Sequence, residues 1–107
     1  MPVDVKRVQD GRGIEVIATG VVIGSEIIAA NRQIYTPEIL SRLAYKLIDR
    51  TACTEYRVTS ADIRRIAQQD LAAAKINPDF VVVLIATTPI QYGMTRVWKV
   101  LMVFISG

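Results

Sequence analysis

The sequence predicts an α/β domain: a mixed, mostly parallel sheet of about four strands, opened by an antiparallel hairpin and covered by helices, in the order ββαβαβα. Three observations carry this reading. Residues 80–86 (Phe-Val-Val-Val-Leu-Ile-Ala) form an unbroken, β-branched run, and a strand apolar on both faces belongs inside a sheet covered on each side. Behind Thr59-Ser60, apolar positions recur at helical spacing. At the start of the chain, two alternating apolar segments flank Asp10-Gly11, a pair that supplies the positive-φ positions of a tight turn. Strands separated by helices pair mostly in parallel, through right-handed crossovers.

Val3 and Val5, then Ile14, Val16 and Ala18, alternate around Asp10-Gly11-Arg12-Gly13 and form the hairpin. Gly20 and Gly24 bracket Val21-Val22-Ile23, where the second strand should end. Ser25 is placed to cap a helix whose first turn carries Glu26, a negative charge at the positive end of the helix dipole. Ile27, Ile28, Ala30, Asn31 and Ile34 fall along one side of that helix. Thr36-Pro37-Glu38 signals a second start, with a hydroxyl cap, a proline at the first helical position and an acid. This helix must be short, because Leu43, Tyr45 and Leu47 soon alternate as in a strand. Leu47-Ile48-Asp49 should end that strand, followed by a polar loop.

Thr59-Ser60-Ala61-Asp62 reads as a capping box with Asp in place of the usual Glu. Beyond it Ile63, Ile66, Ala67, Leu71 and Ala74 make an apolar stripe, with Arg64, Arg65, Gln68, Gln69 and Lys75 mostly off it. Asn77-Pro78-Asp79 ends the helix, since proline fixes φ and disfavours helical geometry in the residue before it. After the apolar strand, Thr87-Thr88-Pro89 should start a last helix with Ile90, Met94, Val97, Trp98 and Leu101 facing inward.

A chain of 107 residues supports one domain, spanning 1–107, and can bury a core without staples. Its net charge of +3 comes from 13 basic and 10 acidic residues that alternate. The basic pairs Lys6-Arg7 and Arg64-Arg65 each have an aspartate nearby, a solvated surface rather than a nucleic-acid stripe. The apolar runs are far shorter than the roughly 20 residues of a membrane span, and no basic-then-apolar leader opens the chain, so a cytoplasmic protein is expected.

Catalysis has little to work with. There is no histidine, which removes the usual base near neutral pH and the commonest zinc ligand. The single cysteine, Cys53, excludes an intramolecular disulfide and a cysteine metal cluster. Asp49, Glu55, Asp62 and Asp70 each read as surface or capping groups. Residues 20–25 place glycines before a helix but lack the lysine of a nucleotide loop. The expectation is a non-enzymatic protein without cofactor or metal.

Four features together carry a resemblance: Leu47-Ile48-Asp49, the Thr59-Ser60 pair at the next helix start, the run 80–86 leading into Thr87, and the tail Tyr92-Gly93-Met94-Thr95-Arg96-Val97-Trp98. In them the chain resembles small bacterial STAS-like domains (sulfate transporter and anti-sigma factor antagonist-like), the tail being similar to a Gly-x-x-Arg-x-aromatic pattern in uncharacterised relatives. The resemblance implies a regulatory protein-interaction domain, bound to a protein partner or to a second copy of itself. It also implies a phosphorylated hydroxyl at the helix start, which falls on Ser60, with Thr59 second; apart from the resemblance, Arg57 stands close enough in the sequence to pair with such a phosphate. The glycine that usually follows the serine is Ala61 here, and Asp62 comes next. Relatives of this type continue past the last helix into a further strand and helix. This chain instead passes into the apolar run 100–105, which as a helix would be apolar all round. That suggests either a missing C-terminal strand and helix or an end packed on a partner.

Thr59 and Ser60 therefore have two readings. As a helix cap, one hydroxyl contributes about 1 kcal/mol. As a switch, a phosphate would add nearly two negative charges at the helix mouth. A second functional reading follows from the relation of STAS-like folds to CRAL-TRIO lipid-transfer domains. Tyr92, Met94, Trp98 and Met102 could line a cleft for an apolar ligand, or the same residues could form a dimer face.

Overall fold

The structure, a computed structural model, describes residues 2–86 and the backbone of 100–104. Five strands form one sheet: β1 (Val3–Val8), β2 (Gly13–Ile23), β3 (Tyr45–Arg57), β4 (Val81–Ala86) and β5 (Val100–Phe104). They lie side by side in chain order, with β1 antiparallel to β2 and every later pair parallel. The helices are α1 (Gly24–Ile34), the single turn α2 (Pro37–Leu40) and α3 (Ser60–Ile76). This is the expected α/β class with its opening hairpin, one strand richer. None of the helices among the described residues is long and apolar enough to cross a membrane.

The alternation in the first segments sets the hairpin register. Val3 pairs with Ala18, Val5 with Val16 and Arg7 with Ile14, so the apolar positions share one face. The turn is a short 3-10 segment in which Gln9, Asp10 and Gly11 all have positive φ (52°, 58° and 85°). The same face of β2 and β4 meets the helices. Ile14, Val16, Ile34, Leu40, Leu43, Ala73, Phe80 and Val82 make one contiguous buried cluster. Where α3 stops, the Asn77 side-chain amide donates to the carbonyls of Leu40 and Leu43 at 2.7 and 2.8 Å. The residue that ends the helix thereby also fixes the turn leading into β3.

Four expectations need correction. The polar loop after Asp49 is strand: β3 continues to Arg57 by pairing with the second half of β2. Register shifts between Ile17 and Thr19 and between Gly20 and Val21 each give β3 one more residue than β2, which hides the pairing from simple alternation. Ser25 is not the cap of α1. That helix starts at Gly24, and the Glu26 carboxylate turns back to accept the Ile23 N–H at 3.0 Å. On α3, Leu71 is 53% exposed, while Ala73 and Asp70 are the buried positions. The run at 100–104 is a parallel strand beside β4 rather than the end of a helix, with Met102 in register with Leu84. An apolar run of this length fits a buried strand as well as a buried helix, and sheet pairing decides.

Candidate functional site

The predicted α3 start is built as the sequence requires. Thr59 is its cap: its hydroxyl accepts the Asp62 N–H, and the Asp62 carboxylate accepts the Thr59 N–H, both at 3.1 Å. The start of α1 lies against it. A Cβ on Gly24 would overlap the Asp62 carboxylate, so the absence of a side chain there lets the two helix starts meet. Each start holds an acid at its third helical position, Glu26 and Asp62, satisfying a backbone donor and facing the positive end of the dipole. Both helices begin at the end of the β2–β3 ribbon, where Ile23 pairs with Arg57.

With Thr59 acting as cap, Ser60 is left exposed and its hydroxyl makes no hydrogen bond among the described residues. Beside this corner Val21 and Ile23 are each 42% exposed, large apolar side chains at the end of a strand. Arg57 does not face Ser60: its Nε bonds Glu55 at 2.9 Å. Both side chains of that pair are solvated, so the ion pair holds Arg57 only weakly.

Beneath the corner, between β3 and the helices, lies a buried polar network. Lys46 Nζ donates to Asn31 Oδ1 and to the Tyr35 hydroxyl, each at 2.8 Å, and sits 4.6 Å from the centre of the Tyr35 ring. The Tyr35 hydroxyl donates in turn to Asp70 Oδ1 at 2.8 Å. Asn31 donates to Gln69, which donates to the Ile28 carbonyl. Four residues further along β3, Arg50 donates to the Tyr56 hydroxyl at 2.8 Å, with its guanidinium 4.2 Å from that ring's centre. Burial pushes the Lys46 ammonium down to about 8, against the pull of Asp70 and with help from Arg50. Burial also raises the Asp70 carboxyl, opposed by Lys46 and the Tyr35 hydrogen bond. The Tyr35 hydroxyl goes up through burial first and the adjacent Asp70 charge second. Among the described residues no group of three or more His, Cys, Asp or Glu could hold a metal.

No protein-family model matches the sequence, and no curated protein does. Among solved structures, the chain is similar to that of the anti-sigma factor antagonist SpoIIAA in its unphosphorylated form. The match has a TM-score of 0.68 at 8% identity and covers 97% of this chain and 89% of that one. The fold is STAS-like.

In this STAS-like domain the structure brings Thr59 and Ser60 together at the α3 start, with Arg57 close in the chain but engaged elsewhere. Tyr92, Met94 and Trp98, together with the helix expected from Thr87 onward, lie outside the described residues, as does the Met102 side chain. The network residues Lys46, Arg50 and Asp70 escape the sequence reading. Leu43, Tyr45 and Leu47 suggest one inward face for β3, whereas Lys46 and Arg50 are the buried positions, 4% and 6% exposed. The one signal for Asp70 is its place a turn before buried Ala73, inside the packed side of α3.

The network has a measurable pH signature. Lys46 has a folded pKa near 8, below the 10.5 of an unfolded lysine, so between those values the unfolded chain binds more protons and stability rises with pH. From pH 8 to 9.5 the gain is about 2 kcal/mol at 1.36 kcal/mol per pH unit. Above about pH 10 the raised pKa values of Tyr35 and Tyr56 reverse the slope, since tyrosines of the unfolded chain then ionise first. Urea unfolding across pH 7.5–9.5 should show the rise in the wild type and a flat profile in Lys46→Met.

Proposed function

We propose that this STAS-like domain is a non-enzymatic regulator that binds another protein through the corner formed by the α3 start and the ends of β2 and β3, with Ser60 as the switch. The observation that carries the reading is the division of labour at the helix start. Thr59 supplies the cap, so Ser60 is exposed with its hydroxyl in no hydrogen bond among the described residues, at the same end of the sheet as the exposed apolar pair Val21 and Ile23. The fold likeness supports it, because SpoIIAA is named an anti-sigma factor antagonist and its structure is described as the unphosphorylated form. The absence of histidine from the chain supports a role in binding rather than catalysis.

A phosphate on Ser60 meets opposing forces. The α3 dipole attracts it, and Arg57 can leave its exposed partner Glu55 to reach it. The Asp62 carboxylate repels it and cannot move away without breaking the capping box. The larger effect falls on the partner: nearly two negative charges placed at the edge of an apolar contact disrupt that contact through desolvation. Phosphorylation therefore releases the partner.

Two substitutions separate the cap from the switch. Thr59→Ala should lower stability by about 1 kcal/mol in urea unfolding, the value of a lost cap. Ser60→Asp should leave the unfolding midpoint within that margin and abolish partner contact. A photo-crosslinking residue at position 23, used in the cells that make the protein, reads this contact directly. One specific adduct is expected in wild type and none with Ser60→Asp, while the same group at Lys6, at the opposite end of the hairpin, gives no adduct with that partner. An adduct of equal yield in wild type and Ser60→Asp contradicts the switch.

A further inference from the structure

We propose that the free edge of β1 is an interface for a second copy of this chain, the two β1 strands pairing antiparallel about a two-fold axis at Val5 to join both sheets into one. Strand β1 stands first in the sheet and has a neighbour, β2, on one side only. The groups on its open side follow from one hydrogen bond. In the continuation of the β1–β2 register Thr19 lies opposite Pro2, and its N–H donates to the Pro2 carbonyl at 2.8 Å. In an antiparallel pair, residues that bond the residue opposite alternate with residues that do not. Asp4, Lys6 and Val8 therefore turn their backbone groups to β2, while Val3, Val5 and Arg7 turn their N–H and C=O groups outward, where no strand meets them among the described residues. Such a row is a template for an added strand.

The charges of β1 choose both the occupant and the register. A ladder forms only where outward-turned residues of the two strands face each other. An axis at Asp4 would set Asp4 against Asp4 of the second copy, and an axis at Lys6 would set Lys6 against Lys6. Like charges directly opposite are destabilising. An axis at Val5 instead sets Asp4 opposite Lys6 on both sides of the axis, with Val5 opposite Val5 and Val3 opposite Arg7. Asp4, Lys6 and Arg7 are exposed and form no ion pair among the described residues. Within its own sheet Lys6 already lies opposite Glu15, so the pairing extends a row of alternating charge across the joined sheets. Charged residues on an edge discourage pairing with unrelated strands. These complement themselves, as a two-fold contact between identical surfaces requires.

The other face of the strand fits the same arrangement. Val3 and Val5 are half-buried and, with Glu26, Ala29, Ala30 and Gln33, line a groove of about 370 Å³ between β1 and α1. On this face Val5 meets Val5 of the second copy at the axis, which covers apolar surface that β1 leaves open. Arg7 of the second copy enters opposite Val3, bringing a cation to the groove that carries the Glu26 carboxylate. The edge lies across β2 from β3, so this contact is separate from the corner that carries Ser60.

Sedimentation equilibrium of the purified chain tests the interface. A species of twice 11.9 kDa that dissociates on dilution is expected, with amide exchange at Val5 and Arg7 slowing as it forms. Asp4→Lys and Lys6→Asp each set like charges opposite one another and should raise the dissociation constant about tenfold or more. Mixing the two variants restores both opposite-charge pairs and should give a heterodimer that neither variant matches alone. That recovery also shows that each variant is folded. A chain that stays monomeric at every concentration, a dimer indifferent to both charge reversals, or two variants that fail to associate on mixing would each overturn the proposal. So would protection of the Val5 and Arg7 amides by a segment of another protein while the chain alone remains monomeric.

Discussion

Asp70→Ala should destabilise the domain by about 3–5 kcal/mol, the cost of removing one member of a buried charge network and leaving the other unopposed. Asp70 is 5% exposed, and it receives the Tyr35 hydroxyl, which also accepts a hydrogen bond from Lys46. Without the carboxylate, Lys46 keeps its desolvation penalty, loses the one opposing charge that favours its ammonium form and still feels Arg50. The double variant Lys46→Met/Asp70→Leu removes both charges and should recover most of the loss, because replacing a buried ion pair by apolar side chains is often neutral or better. Urea unfolding of the wild type, the two single variants and the double variant gives the coupling from a thermodynamic cycle. A double variant as unstable as the sum of the singles would show that the two charges act independently.

Phe80→Ala should cost a similar 3–5 kcal/mol, for a different reason. Phe80 is fully buried ahead of β4, and it packs against the Tyr35 ring with centroids 6.1 Å apart and planes tilted by 58°. Truncation opens a cavity that the surrounding Ile34, Leu40 and Val82 cannot fill without leaving their rotamers. It also removes the apolar support that holds the Tyr35 hydroxyl between Lys46 and Asp70. Phe80→Leu should cost much less, since most of the volume remains. The pH-dependent rise between 8 and 9.5 should survive in the leucine variant and shrink in the alanine variant, because Lys46 then gains access to water.

How far the fold was legible depends on what each segment interacts with. The hairpin, the caps of α2 and α3 and the strand 81–86 depend on neighbours close in sequence, and local patterns place them. The second half of β3 is different. Thr51, Thr54, Glu55 and Arg57 are polar and exposed, and this half is a strand only because it pairs with β2 across two intervening helices. The run at 100–104 is apolar in either conformation, so only its parallel pairing with β4 distinguishes strand from helix.

The candidate site divides in the same way. Thr59 and Ser60 were visible because a capping box is a local arrangement, and the structure shows which of the two hydroxyls does the capping. The polar network was not visible. Lys46, Asn31, Tyr35 and Asp70 come from a strand, two helices and the end of one of them, and nothing in the local pattern links them until packing brings them together. The parity of β3 misled for a related reason. An interior strand has apolar residues on both faces, so Tyr45 and Leu47 could not show that Lys46 and Arg50 occupy the buried side.

The claim that Ser60 is the switch and Thr59 the cap is tested most directly by the mass of the intact protein, purified under native conditions from the cells that make it, followed by fragmentation to locate any phosphate. The account predicts a species carrying one phosphate on Ser60, absent in Ser60→Ala and retained in Thr59→Ala. Protein without phosphate, or with its phosphate on Thr59, would contradict it.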